Sequence, residues 1–241
     1  MNWKIHHKAE TASTNLDAQA GVHGDVFTAD YQTAGRGRLD HKWLSPPKIN
    51  LMMSVVLSVD GLAPEQVATL PLVAGLAVSK ALKTLTHHCS TSTSDFDYLL
   101  KWPNDVLVGG KKIAGILCER NGNNVIVGIG VNVGQTEFDR KIVERATSLA
   151  AVGEDADSTV VRDAVLDQLG KWYGIWREKG FAAVYSEIAA VDLLKGREVA
   201  VRQTDDDSAP MTGVSNGIMP DGSLDVGGKK VYAGEAHVEK I

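Results

Sequence analysis

The strongest constraint on what this chain can become is the run Val125-Ile126-Val127-Gly128-Ile129-Gly130-Val131-Asn132. Side chains alternate across an extended strand, so Val127, Ile129 and Val131 share one face while Gly128, Gly130 and Asn132 share the other. Such a strand belongs in a sheet that presses one face into an apolar core and leaves the opposite face bald. The bald face admits two readings. Either a flat ligand lies on bare backbone with Asn132 reading its edge, or the glycines merely permit a helix to pack closely.

Four more segments, at about 25 to 31, 49 to 58, 97 to 102 and 106 to 118, are rich in Val, Ile, Leu and Tyr and are bounded by turn residues. They predict one sheet across the first part of the chain. Between them Val67, Leu70, Ala74, Ala77, Val78, Ala81 and Leu85 recur at helical spacing, with Pro64 placed to start the helix and Pro71 to kink or split it. That helix is expected to cover one face of the sheet. A second helix is predicted over 159 to 178, where Val161, Val165, Leu169, Trp172 and Trp176 form an apolar stripe and Gly180 offers a stop, followed by a shorter one over 181 to 190. From Leu194 onward short alternating segments are separated by Gly213, Gly217, Gly222, Gly227, Gly228 and Gly234, the texture of a small β-barrel-like domain. The expected organisation is therefore α+β, with domains over 1–190 and 191–241. The Ser/Thr run at 90–94 reads as a surface loop.

With 44% of its 241 residues hydrophobic, the chain has material for one substantial core and a small second domain, which excludes disordered and fibrous classes. Its net charge of -5 argues against a surface that neutralises many phosphates, so duplex nucleic acid is not the expected partner. The two cysteines, Cys89 and Cys118, stand apart from any zinc-ligand spacing, and neither a disulfide framework nor a structural zinc is expected. The start of the chain carries no apolar run of signal-peptide length, and nowhere do about 18 apolar residues follow one another. A cytoplasmic protein without a membrane span is the expectation.

Two further segments carry chemistry. Tyr31-Gln32-Thr33-Ala34-Gly35-Arg36-Gly37-Arg38-Leu39-Asp40-His41-Lys42-Trp43 interleaves glycines and cations directly after a predicted strand. Gly35 and Gly37 let backbone approach a ligand, and the planar forks of Arg36 and Arg38 match phosphate oxygens. The alternative is a solvated loop whose arginines pair with surface carboxylates. Lys101-Trp102-Pro103-Asn104-Asp105 precedes a tight Gly109-Gly110 hairpin that leads into Lys111-Lys112-Ile113-Ala114-Gly115-Ile116-Leu117. A lysine at that strand start would supply charge to a fixed reacting centre, and Asp105 would hold a hydrated Mg²⁺ or position a substrate group, unless both lysines simply face solvent.

These three segments, in this order and over most of the chain, resemble the biotin protein ligases. Ser13-Thr14-Asn15 and Ala146-Thr147-Ser148-Leu149 are similar to further patterns of that family, and the glycine-punctuated end, including Gly234 and Glu235, is similar to its SH3-like appendage. The resemblance implies a mixed central sheet covered by helices, as in class II aminoacyl-tRNA synthetases, with a small C-terminal SH3-like β-barrel. It implies ATP and Mg²⁺ as co-reactants, biotin as substrate, and a biotin carboxyl carrier protein or domain as acceptor; look-alikes also form homodimers through a sheet edge. Ser13, Thr14 and Gln32 match biotin-holding positions, Gly35, Arg36 and Arg38 the adenylate loop, and Trp43, Gly115 and Leu117 the biotin wall. Lys112 matches the lysine that contacts the biotin carboxylate and the α-phosphate. Asn104, Asp105, Gly130 and Asn132 match positions around nucleotide and metal. The chain departs from the pattern at Asp40 and His41, where a small residue followed by arginine is usual. Phe138 is the one aromatic candidate for stacking on adenine between Asn132 and Thr147. Strict alternation also sets Lys112 opposite Gly115 and Leu117. Rival readings are a lipoate or octanoate ligase of similar fold and a biotin-responsive DNA-binding regulator. The regulator would carry a helix-turn-helix ahead of the ligase, and Ser13-Thr14-Asn15 comes too early for one.

Overall fold

The two faces of β7 (Asn124–Val131) organise the molecule. This strand lies in the middle of a seven-stranded sheet of order β1-β2-β3-β7-β6-β5-β4, formed with β1 (Lys4–Thr11), β2 (Asp25–Gln32), β3 (Leu51–Ser58), β4 (Leu99–Lys101), β5 (Asp105–Val108) and β6 (Lys111–Asn121). Only β1 and β2 run parallel; the other neighbours are antiparallel. The structure, a computed structural model, describes residues 1–39, 41–87, 97–202 and 209–238. Asp40, Cys89 and the 90–94 run lie outside the described residues.

On one face Met53, Val55 and Leu57 of β3 stand beside Ile129, Val127 and Val125 of β7, and all join one continuous core with the helices. The covering helices are α3 (Leu70–His87) and α4 (Ser158–Lys179). The predicted split falls just before Pro71: a short α2 (Pro64–Val67) ends ahead of it, and Pro71 sits in the first turn of α3, where its missing N–H costs nothing. An 18-residue stretch within Pro64–Thr86 has mean hydropathy 1.3 and the length of a membrane span, yet 67% of it is buried within the protein. It is apolar nearly all round because the sheet lies on one side and α4 on another.

All five residues of the predicted α4 stripe are buried. Asp157 caps the helix by accepting from Thr159 N at 2.7 Å, and Gly180 ends it at φ 78°. The expected short helix is a 3₁₀ turn (Phe181–Ala183) followed by α5 (Tyr185–Ala190).

The strand β1 was not expected. Its Lys-Ile-His-His-Lys-Ala-Glu-Thr sequence is exposed along most of its length, as an edge strand with water on both faces allows, so no alternation marks it.

The last part of the chain forms a second, antiparallel sheet of order β11-β10-β9-β8-β12: β8 (Glu198–Arg202), β9 (Met211–Ile218), β10 (Leu224–Val226), β11 (Lys229–Val231) and β12 (Glu235–Val238). It shares the core through Val199, Val201, Ile218, Leu224, Val226 and Val231. Residues 191–193 run beside β4, with Leu100 N donating to Val191 O and Leu193 N to Leu100 O. The Trp102 indole, 2% exposed, crosses to the second sheet and donates to Gly222 O at 3.1 Å. This explains a tryptophan in a turn: it fastens one sheet to the other. Trp102→Ala should therefore lower unfolding free energy by about 3–5 kcal/mol, the scale for truncating a buried aromatic. Urea unfolding followed by circular dichroism measures it, and a loss below about 1 kcal/mol would show that the fastening lies elsewhere.

Candidate functional site

The opposite face of the sheet is open. Cross-strand partners share a face, so Met52, Ser54 and Val56 of β3 lie with Gly130, Gly128 and Ile126 of β7, and these with Gly115, Leu117 and Glu119 of β6. The glycine pair Gly115 and Gly130 leaves a trough, and over it sits the indole of Trp43. A Cβ on Gly130 would lie 2.4 Å from that ring, and one on Gly128 would lie 2.3 Å from Asn15 Oδ1. Part of the flat object resting on bare backbone is thus the protein's own tryptophan.

Around the trough is a cleft of about 720 Å³, counting its open mouth. Its polar floor is built where β1 turns into the short α1 (Thr14–Asp17). Gln32 Oε1 accepts from Thr14 N at 2.8 Å and from Thr14 Oγ1 at 3.1 Å, which leaves the Gln32 amide nitrogen to donate elsewhere. Ser54 Oγ, fully buried, shares its proton between Thr14 Oγ1 and Asn15 Oδ1. Ser13 completes this floor.

The arginine loop folds back over the cleft as a small ribbon, with Gly37 N donating to His41 O and Trp43 N to Gly35 O. Gly35 is needed there, since a Cβ would meet Trp43 O at 2.3 Å. The two arginines behave differently. Arg36 makes a forked ion pair with Glu119, at 2.9 and 3.4 Å. Arg38 donates to Asn104 Oδ1 and Gly234 O, both at 3.2 Å, and among the described residues no carboxylate neutralises it. His41 approaches Glu235 at 3.7 Å, so the loop also touches the second sheet.

The third wall is the β5–β6 hairpin, whose Gly109 and Gly110 adopt φ of 56° and 77°, the positive angles a two-residue turn requires. Register slips between Val106 and Leu107: Val106 pairs with Ala114, but Leu107 pairs with Lys112, leaving Ile113 as an extra residue. This bulge resolves the alternation conflict. It rotates Lys112 onto the face of Gly115, where a Cβ would meet Lys112 Nζ at 3.0 Å. Lys112 Nζ stands 2.7 Å from Asp105 Oδ1 and 5.9 Å from the Trp43 ring centroid. That Asp105 oxygen, shielded from solvent, accepts no hydrogen bond of proper geometry. Lys111 points away and donates to Val143 O at 3.3 Å. Nearby Lys101 is held below the ordinary lysine range by burial, against the pull of Asp105.

Of the residues singled out from sequence, Ser13, Thr14, Gln32, Arg36, Arg38, Trp43, Asn104, Asp105, Lys112, Gly115, Leu117 and Gly130 line one cleft, with Gly35 packed behind it. Two do not. Asn132 is buried and donates to Thr147 O at 2.9 Å, and Phe138 lies outside the lining. The lining also includes Asn15, Met52 and Glu235. Asn15 was visible inside the Ser13-Thr14-Asn15 pattern. Met52 carried no signal, because β3 reads as apolar throughout. Cys118 lies among the core-side residues with its thiol pushed up to about 12 by burial, so it offers no nucleophile.

Residues 8–135 match the family described as the biotin/lipoate A/B protein ligase family. The chain belongs to that family. Within it, the chain is similar to biotin protein ligases. It is 32% identical over 239 residues to the biotin–[acetyl-CoA-carboxylase] ligase of Mycobacterium tuberculosis, covering 95% of this chain and 86% of that one. The biotin protein ligase from Aquifex aeolicus, solved in complex with biotin and ATP, matches with a TM-score of 0.84 and 33% identity over 98% of this chain and 99% of the other. The biotin protein ligase from Leishmania major, in complex with biotinyl-5-AMP, matches with a TM-score of 0.65 and 25% identity over 98% of each chain.

In this family member the trough under Trp43 depends on Gly130 having no side chain. Overpacking costs about 1–3 kcal/mol, so in Gly130→Ala the arginine loop should be cut by trypsin about tenfold faster than in the parent, with little change in global unfolding. Equal cutting rates would show that Trp43 is held by other means.

Proposed function

We propose that this chain activates biotin with MgATP to biotinyl-5′-adenylate and pyrophosphate, then passes biotin to a lysine of a biotin carboxyl carrier protein or domain. One observation carries the reading: the bulge at Ile113 aims Lys112 into a cleft that has a polar floor on one side and, on the other, Arg38, which no carboxylate neutralises among the described residues. Biotin's ureido ring would lie on Ser13, Thr14 and Gln32, which offer both donors and acceptors, with Trp43, Gly115 and Leu117 as apolar wall. Its carboxylate would reach Lys112. The nucleotide would extend past Asn104 and Gly130 toward Arg38. Asn132 and Phe138 receive no ligand contact in this proposal.

Biotin's carboxylate oxygen attacks the α-phosphorus as the bond to pyrophosphate breaks, and negative charge grows on the phosphoryl oxygens. Lys112 and Arg38 are fixed cations aimed at that charge, and the cleft supplies proximity. The acceptor's amine then attacks the mixed anhydride and releases AMP. With a reference lysine pKa of about 10.4 that amine must first lose a proton, and Asp105 is the carboxylate at hand. Among the described residues no group of three His, Cys, Asp or Glu could hold a metal. Magnesium needs only one or two carboxylates beside substrate phosphates, and Asp105, whose carboxylate here pairs with Lys112, would be the one to hold it. When bound, the ion offsets phosphate charge.

We take 1–190 as the catalytic domain and 191–241 as an SH3-like domain that contributes Glu235 to the mouth, and the cytoplasm as the place of action. Duplex DNA is no part of this reading, in keeping with the net charge of -5.

The test is pyrophosphate release with MgATP and biotin, set against lipoate and octanoate, followed by transfer to a carrier domain read by intact mass. Release with biotin alone of the three is expected; a preference for lipoate overturns the substrate. In the same assay Lys112→Ala should slow adenylate formation by a factor on the order of 10² to 10³, the scale for one preorganised charge donor. Lys111→Ala should cost little, and equal losses would remove Lys112 from its role. Arg38→Gly should release adenylate that labels bystander lysines, since a charge-assisted contact contributes roughly 1.5–3 kcal/mol to its retention. A variant that held adenylate as the parent does would leave Arg38 without a phosphate.

A further inference from the structure

The forked pair between Arg36 and Glu119 is not accounted for by phosphate binding, since it satisfies a cation before any ligand arrives. Glu119 is also engaged on its other side, where Asn15 Nδ2 donates to its Oε2 at 2.6 Å. Asn15 is in turn fixed by Ser54, which also holds Thr14, whose backbone and hydroxyl bond to Gln32. An unbroken run of hydrogen bonds thus leads from the polar floor, through one carboxylate on β6, to the arginine loop. The opposite arrangement holds at Arg38, whose acceptors among the described residues are neutral oxygens. The two arginines therefore divide the work: Arg38 keeps its charge for a ligand, while Arg36 spends its charge on an anchor.

We infer that Glu119 is a positioning residue for the ligase reaction, tying the biotin floor through Asn15 to the phosphate loop through Arg36 so that the two segments are held in register. This rests on the ligase reading proposed above. The pair is partly exposed, 44% at Arg36 and 28% at Glu119, and pairs of that kind add little to folding. Its effect is on geometry. A loop held to the floor keeps Gly35 and Gly37 backbone and the Trp43 ring at fixed distance from the trough, and positional errors near an ångström are enough to slow a reaction.

The test compares the full chain with Glu119→Gln, Glu119→Asp, Arg36→Gln and the Glu119→Gln/Arg36→Gln double variant. Biotin KM and kcat come from pyrophosphate release, and adenylate escape comes from labelling of a bystander amine in a single turnover. Glu119→Gln should raise biotin KM and adenylate escape by about tenfold each, the scale for losing one charge-assisted contact, with the thermal midpoint unmoved. Glu119→Asp, which keeps the charge, should recover part of both. Arg36→Gln should match Glu119→Gln in escape rate, and the double variant should be no worse than either. Adenylate retention unchanged in Glu119→Gln, or losses that multiply in the double variant, would overturn the inference while the ligase reading stood. A parent that released no pyrophosphate with biotin would overturn both.

Discussion

Everything at the site rests on the contact between two glycines across β6 and β7, Gly115 and Gly130. Their missing side chains hollow the sheet at its middle, and the hollow is filled from above by Trp43 and from the side by the Lys112 stem. Because the backbone itself forms the base, the depth of the trough is set by hydrogen-bonded strands rather than by rotatable groups. Neighbouring strands hold their spacing to within a few tenths of an ångström, which is the tolerance a reacting centre demands. The opposite face of the same strands is as full as this one is empty, with Val127, Ile129 and Val131 at 2% exposure or less beneath α3 and α4. One strand thus provides both the rigidity and the vacancy.

Much of this was legible in sequence because the physical demands are local. Alternation in β7 displayed the two faces, the α4 stripe displayed the covering helix, and Gly109-Gly110 displayed the hairpin. The segments that carry Lys112, Arg38 and Thr14 were marked by residue types seldom gathered without a purpose. What stayed hidden depended on partners far away in the chain. No periodicity marks β1, since water replaces a core on both its faces. Trp102 stood out as unusual, but its partner Gly222 lies 120 residues away. The pairing of Arg36 with Glu119 was present in sequence only as the general alternative of a solvated arginine finding a carboxylate, and which carboxylate is decided by strand register.

The bald face of β7 also shows how a correct pattern supports two readings at once. A flat ligand on bare backbone and close helix packing were the alternatives in the sequence; in the fold a loop tryptophan, Trp43, lies over the glycines instead of a helix. Asn132, which the same alternation placed on that face, is drawn instead into the backbone of Thr147. It holds the segment that flanks Lys112, whose own N–H and carbonyl are bonded to Arg145 and Thr147.

The extra residue at Ile113 makes the orientation of Lys112 a matter of counting. Ile113 is fully buried and accepts from Asn132 N, so the bulge is locked from the core side and from the neighbouring strand together. A hairpin of the same composition but one residue shorter would still pair and still bury its apolar side chains, yet it would turn the ammonium toward the helices. Grafting this lysine onto another two-stranded ribbon therefore requires carrying the irregularity with it, because side-chain identity alone does not encode the direction.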